Sequence, residues 1–303
     1  MAITRAQQLK ELVPGLHKLF GMTYARYDEQ WREMFDINTS DRSFEEETKL
    51  SGFGVAPDKT EGAAIDYDTA QEVWTARYVH QTTAMGFAIT EEAMEDNLYE
   101  SLSARYTKAM AKSMNYTKNL KGAAIFNNAF NINFVGGDGQ PLCSSQHPIL
   151  GGGYNANRPV TGVDLNETSL EAAAIQISKW VDERNLLIAA KIKKMVVPAD
   201  MQFIAQRLLE TKLRNGTSDN DISAIYTLNT VPGGYTVNNF LTDPNAWFIT
   251  TDVDDGLKFF QRVRMTTKAD GDFDTGNMRY KARERYCFGW SDPLGIWGSP
   301  GST

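Results

Sequence analysis

Hydrophobic and polar positions divide the 303-residue chain into segments of different period. Near the start, Leu12, Leu16, Leu19 and Phe20 give one short helical stripe, interrupted by Pro14-Gly15. Tyr24, Tyr27, Trp31, Met34 and Phe35 then recur at mostly helical spacings. This is enough apolar surface to dock one helix and too little for a core, so residues 1–40 are expected to form an arm that packs on something else. Further on, VWTARYVHQTT (73–83) has strand composition, yet Val73, Thr75, Arg77, Val79 and Gln81 on one side and Trp74, Ala76, Tyr78 and His80 on the other are both mixed faces. Such a strand lines no core. It suits a projecting hairpin whose turn lies within APDKTEG (56–62).

Thr90 offers an N-cap for a helix pattern running to about Lys121, before Gly122. Met94, Leu98, Leu102, Tyr106, Met110 and Met114 repeat every fourth position along it. At ~1.5 Å per residue this strut is roughly 48 Å long. No heptad pattern is sustained, which excludes a coiled coil. Farther along, Thr168 to Glu171 forms a capping box opening a helix to about Glu183, with Leu170, Ala174, Ile177 and Val181 inward. A buried strand at 193–198, a helix from Asp200 carrying Phe203, Leu208 and Leu209, and the strand AWFITTD complete a compact α/β piece. The chain ends in a hairpin, 259–267 and 278–288. Its return strand alternates Met278, Tyr280, Ala282, Glu284, Tyr286 and Phe288 against Arg279, Lys281, Arg283, Arg285 and Cys287. The fold class is therefore α+β.

Charge sharpens this outline. The formal net charge is −7, opposite in sign to a protein that coats nucleic acid with its whole surface. Residues 44–72 hold eight acids, among them Glu45, Glu46 and Glu47, against only Lys49 and Lys59. Residues 103–121 hold Arg105, Lys108, Lys112, Lys118 and Lys121 without one acid. Acids crowd the first turns of the long helix and bases the remainder, both favourable to its dipole. No apolar run reaches the ~20 residues of a membrane span, and the first residues resemble no secretory signal. Two cysteines make no disulfide framework. A soluble, intracellularly made protein is the expectation.

Candidate chemistry is sparse. Cys143 and His147 lie four apart in a turn-rich stretch and would be the pair of a Cys-dependent hydrolase, a remote reading beside two ordinary loop residues. Asp270, Asp272 and Asp274 imitate a calcium loop, but Thr275 and Lys281 stand where its Gly and Glu belong, so a hairpin turn is expected. No dinucleotide or P-loop glycine pattern occurs, and no cofactor or metal is expected. The stripe Arg279, Lys281, Arg283, Arg285 could meet phosphates, but reads better as a solvated or interface-facing side of a two-faced sheet.

An arm, an acidic hairpin without its own core and a long strut each leave surface that needs a partner. FNNAF (126–130) directly after the strut, DGQPLCSSQHP (138–148) and RYKARERYCFGWSDPLGIWGS (279–299) add, in that order, a resemblance to tailed-bacteriophage major capsid proteins of the Hong Kong 97 fold, nearest the Mu-type major head subunits. The resemblance implies an N-terminal arm (1–40), an extended E-loop (41–88), a peripheral domain (89–160) with a spine helix at 90–121, an axial domain (161–254) and a peripheral return with the C-terminus (255–303). It implies pentamers and hexamers of the chain itself forming an icosahedral head around double-stranded DNA without sequence-specific binding, in a virion assembled from protein made in the host cytoplasm. Further partners implied are a portal and a decoration protein, and, because the arm begins at Met1, a separate scaffolding protein. Some members crosslink an E-loop lysine to a neighbour's asparagine. Lys49 or Lys59 and Asn277 are possible counterparts, with no bond claimed. The subunit interface is expected to draw on Glu45, Glu46, Glu47, Lys49 and Lys59 from the hairpin, and on Arg105, Lys108, Lys112, Arg279 and Lys281 opposite it. An encapsulin-like compartment of the same fold is the alternative.

Overall fold

The computed structural model describes residues 5–62, 64–90, 92, 99–213, 221–272 and 275–302. In chain order these form α1 (Arg5–Arg26), a 3-10 turn (Gln30–Glu33), β1 (Asp36–Thr39), β2 (Phe44–Leu50), β3 (Glu72–Val79), β4 (Gln81–Ile89), the long helix α2 (Tyr99–Asn127), β5 (His147–Pro148), β6 (Tyr154–Asn155), α3 (Glu167–Ser178) and β7 (Ile192–Val197). They continue with α4 (Gln202–Glu210), α5 (Ala224–Thr227), β8 (Tyr235–Val237), β9 (Trp247–Thr251), β10 (Leu257–Gly271), β11 (Met278–Trp290) and β12 (Ile296–Ser299).

Two four-stranded sheets organise the chain. The first has the order β1-β10-β11-β4, with β1 parallel to β10 and the remaining pairs antiparallel. The alternation read in the return strand is realised. Met278, Tyr280, Ala282, Glu284 and Tyr286 are buried, and Met278, Tyr280 and Ala282 pack with Met110, Ala111 and Met114 of α2. The second sheet, β12-β9-β7-β8, buries all of β9 and rests on Leu170, Ala173 and Ile177 of α3. β2 and β3 pair separately as an antiparallel hairpin.

Several sequence expectations are corrected. The apolar residues of the first forty positions have partners inside the chain. Trp31, Met34 and Phe35 are buried with Phe126, Phe259 and Tyr286, and Leu16 and Phe20 with Met110, Met114 and Met278. Their partners lie up to about 260 residues away, where a local pattern cannot show them. For the same reason α1 runs unbroken across positions 14–15. The strut does not stop at Gly122. It continues to Asn127, and Gly122 serves close packing rather than termination: an added Cβ there would lie 2.8 Å from the Trp31 Cβ. Its expected start, with Met94 and Leu98, falls outside the described residues, and Tyr106 is half exposed rather than part of the buried ridge. The expected strand 73–83 is two strands parted at His80, and its Ala76 and Tyr78 do line a small core with Phe260 and Cys287. The helix expected from a Thr168–Glu171 box is capped instead by Asn166 and Ser169 and ends at Ser178.

Candidate functional site

The surface most in need of a partner is the β2–β3 hairpin and the loop at its tip. β2 alternates, and the alternation decides the role of each charge. Glu45, Glu47 and Lys49 turn toward the body, while Phe44, Glu46, Thr48 and Leu50 turn out. Glu45 accepts a hydrogen bond from Ser40 Oγ at 2.6 Å. Glu47 accepts from Lys258 Nζ at 2.6 Å and from Ser291 Oγ. Lys49 donates to Asp292 at 2.7 Å, pairs with Glu183 at 3.2 Å, and lies 4.8 Å from the Trp74 ring centre. Burial opposes the charge of Lys49, but Asp292 and then Glu183 outweigh it and hold its pKa above the ordinary lysine value. Burial likewise opposes the charge of Lys258, and Asp255 and Glu47 overcome it. The root of the hairpin is thus bolted to its own subunit by charge-assisted bonds, which are about twice as strong as neutral ones.

Beyond the root, the apolar side chains of the loop stay uncovered among the described residues. Phe53, Val55, Ile65 and Tyr67 are 62%, 79%, 66% and 94% exposed. Asp68 accepts from Gly54 N–H at 2.7 Å and pairs with Arg184 at 3.4 Å, fixing one turn of the loop to the body. Glu46 faces outward beside Arg77, 3.6 Å away. Lys59 is exposed, while Asn277 is half-buried in the β10–β11 turn with its carbonyl accepting from Asp272 N–H at 2.9 Å.

Arg105, Lys108 and Lys112 are exposed on α2. Lys118, counted with them from the sequence, is buried. Its ammonium stands 3.5 Å from Glu284 and 3.9 Å from Glu29, and lies 4.9, 5.0 and 5.3 Å from the ring centres of Trp31, Phe259 and Tyr286. Lys121 donates to Thr83 Oγ1 at 2.9 Å. The outward basic surface of the helix is therefore Arg105, Lys108 and Lys112. The structure does not bring Glu45, Glu46 or Glu47 to these three within one subunit: the partners it gives the acids are Ser40, Arg77, Lys258 and Ser291.

The Cys143–His147 pair is not assembled. Cys143 is fully buried, and burial pushes its thiol pKa well above the ordinary value. His147 faces Asp138 through Nδ1 at 2.5 Å and Asn157 Oδ1 through Nε2 at 3.0 Å, so both ring nitrogens are occupied elsewhere. Asn157, which the sequence reading missed, points its Nδ2 at the carbonyls of Leu142 (2.7 Å), Pro293 (2.8 Å) and Ile296 (3.1 Å). The segment DGQPLCSSQHP is thereby fastened to SDPLGIWGS near the C-terminus. Only the polar residues inside those motifs hinted at it. Asp270 lies at the end of β10 and Asp272 in the turn after it, Asp274 falls outside the described residues, and among those described no group of acids, His or Cys could hold a metal ion. No helix among them is long and apolar enough to cross a membrane.

Structural neighbours share this architecture. The capsid of cyanophage P-SCSP1u aligns with a TM-score of 0.56 at 10% identity, covering 88% of this chain and 85% of that one. The capsid of Myoviridae phage XM1 aligns with a TM-score of 0.55 at 11% identity, covering 88% and 89%. A virus-like particle from Pyrococcus furiosus aligns with a TM-score of 0.51 at 10% identity, covering 94% and 97%. Among curated proteins none matches the sequence. At such identities the neighbours speak for a capsid fold of the Hong Kong 97 kind, and the sequence itself speaks for the family. Residues 74–298, well over half of the chain, fit the phage capsid protein model, and the chain belongs to that family.

Proposed function

We propose that the chain is the major head subunit of a tailed phage, assembling with copies of itself as pentamers and hexamers into an icosahedral shell around double-stranded DNA. Its role in this reading is structural rather than catalytic, and it resembles the Mu-type head subunits. The observation that carries the reading is the family match over residues 74–298, and the uncovered loop of the hairpin agrees with it. Residues 1–40 then serve as the arm, 41–88 as the E-loop, 89–160 and 255–303 as the peripheral domain, and 161–254 as the axial domain. A scaffolding protein, a portal and a decoration protein are the further partners, with synthesis in the host cytoplasm and the virion as destination. At the interface, Glu45, Glu47 and Lys49 hold the hairpin in its seat, while Glu46 and the acids of the loop that carries Lys59 reach the Arg105, Lys108 and Lys112 face of a neighbour.

Negative-stain microscopy of the purified protein tests this. Closed shells are expected, and a protein that stays monomeric under all assembly conditions refutes the reading. The similarity to the Pyrococcus furiosus virus-like particle favours one second reading, an encapsulin-like compartment. The contents of isolated shells separate the two: nucleic acid for a phage head, enzyme for a compartment.

A further inference from the structure

The sheet β1-β10-β11-β4 has two unlike faces. One is covered by α2 and α1 through Met278, Tyr280 and Ala282. Among the described residues the other is covered at one end, where Ala76 and Tyr78 of β3 sit on Phe260 and Cys287. Beyond that cover, the same face carries Arg264 and Lys268 on β10 and Arg279, Lys281, Arg283 and Arg285 on β11, all exposed except the half-buried Arg285.

Register makes this arrangement electrostatically costly. Lys268 stands directly opposite Lys281, and Arg279, Lys281, Arg283 and Arg285 follow one another at every second position. Like charges facing each other across strands destabilise a sheet. Among the described residues Asp270, opposite Arg279, and Asp272, which accepts from the Arg279 guanidinium at 2.5 Å, lie beside the far end of this face, and Glu45 stands near Cys287 at the covered end. The other cations have no ion pair among the described residues. On β4, the residues paired with Arg285, Arg283, Lys281 and Arg279 are Thr82, Ala84, Gly86 and Ala88, all exposed. The basic rows therefore adjoin a flat shelf of small side chains, open to a broad object.

We propose that this face binds the sugar–phosphate backbone of nucleic acid, without regard to sequence. The inference rests on the reading of the chain as a shell that encloses DNA, and assigns the residues that touch it. Alternate residues of a strand are ~6.7 Å apart, so Arg279 to Arg285 spans ~20 Å. Duplex DNA presents one negative charge per ~1.7 Å of its axis, about a dozen over that length, and relieves the repulsion among all six cations at once. The acidic loop of a second copy is the competing occupant. It is disfavoured because its exposed Phe53, Val55, Ile65 and Tyr67 need an apolar seat, and the face offers only methyl groups. The sequence alone ranks this stripe as a solvated or interface-facing side. The uncovered face, the opposed lysines and the small-residue shelf shift the balance toward phosphate.

The test is fluorescence anisotropy of a random-sequence DNA duplex with unassembled full-length subunits, from 50 to 200 mM salt. Wild type is expected to bind at low salt and to lose about 10³-fold in affinity over that range, as six phosphate contacts require. Lys281→Gln with Arg283→Gln is expected to weaken binding at 50 mM salt by at least tenfold and to flatten the salt dependence, while Lys108→Gln with Lys112→Gln leaves both unchanged. Absence of wild-type binding at 50 mM salt overturns the proposal, as does an unaltered double variant. Direct binding of a labelled peptide of residues 56–72 where DNA fails to bind assigns the face to a second copy instead. Microscopy of the same preparations reports shell formation separately, so subunits that close into shells without binding DNA refute this inference and leave the shell reading standing.

Discussion

Lys118 of α2 lies 3.5 Å from Glu284 of β11, with the two side chains 5% and 0% exposed. Three aromatic rings surround the ammonium, one of them Trp31 from the first forty residues. This pair joins the N-terminal segment, the long helix and the sheet. A buried ion pair adds little net stability, but removing one member strands the other, at a cost of about 3–5 kcal/mol. Lys118→Met is accordingly expected to destabilise the subunit by that amount in urea unfolding. Lys118→Met with Glu284→Leu should recover most of the loss.

The pair also sets a pH dependence. Burial, against the opposing pull of Lys118, raises the Glu284 pKa above the ordinary carboxylate value. Between those two values the folded state binds more protons than the unfolded state, so stability falls as pH rises through that window and is flat above it. In Lys118→Met the folded value climbs further. The destabilisation should therefore be larger at pH 7.5 than at pH 5. An equal loss at both would show that Glu284 does not titrate in this range.

The first forty residues give a second prediction. Trp31 is 2% exposed and packs on Phe259 with ring centres 4.3 Å apart, so Trp31→Ala should cost about 3–5 kcal/mol. Deleting residues 2–35 removes Leu16, Phe20, Trp31, Met34 and Phe35 together. The product is expected to melt without cooperativity, in contrast to what an arm lacking partners implies. Calorimetry of the deletion variant decides the matter. A sharp transition near that of wild type would show that these contacts are dispensable.

What the chain discloses by itself follows from the range of the forces involved. β11 was legible because a two-faced strand writes its environment into alternate positions, from Met278 to Tyr286. The body of α2 was legible because Met110 and Met114 keep the four-residue spacing of a buried stripe. Trp31 was not legible, because its partners Phe259 and Phe288 lie far along the sequence and an aromatic spaced for an amphipathic helix looks the same in an arm as in a core. Glu47 and Lys49 posed the same difficulty. They read as part of one acidic run until Lys258, Asp292 and Glu183, from three distant segments, gave each an inward partner.

His80 marks the joint between β3 and β4, with its Nε2 2.8 Å from Ser40 Oγ and its Nδ1 3.3 Å from Cys287 Sγ. Burial, then the nearby Arg285, lowers its pKa below the ordinary histidine value. Between the lowered value and the ordinary ~6.5 the unfolded chain binds more protons, so stability rises with pH across that window and levels off above it. Wild type should lose urea resistance on acidification below pH 6.5, and His80→Gln should lose less. Parallel curves for the two proteins would assign the acid sensitivity to other groups.

Both thiols are expected to be silent in the folded subunit. Cys143 is fully buried, and burial pushes Cys287 up to about 12. Since the thiolate is the reactive form, iodoacetamide should label neither at pH 8 until denaturant is added. Labelling of one thiol in native protein would reveal an opening of the fold at that site. A dimer ladder from intact shells on a non-reducing gel would reveal a bond between subunits.

The last prediction concerns the segregated charge. Of the three consecutive glutamates, Glu45 and Glu47 are held inside the subunit and only Glu46 faces out, beside the exposed Arg77. A contact with the Arg105, Lys108 and Lys112 face of a neighbour must then run through Glu46 and loop acids such as Asp58 and Glu61. One exposed pair contributes only ~0–1 kcal/mol, so the effect depends on its repetition over the whole shell. Reversing Glu46, Asp58 and Glu61 to Lys should lower shell yield at low salt while leaving subunit unfolding unchanged. Adding Arg105→Glu, Lys108→Glu and Lys112→Glu should restore part of the yield, because the attraction is rebuilt with its signs exchanged. Glu47→Lys is expected to behave differently: it places a cation beside Lys258 and should lower subunit stability first, in low and high salt alike. If the outward triple variant assembles as well as wild type from low to high salt, the charges do not meet across the interface, and both faces serve only to keep the subunit soluble.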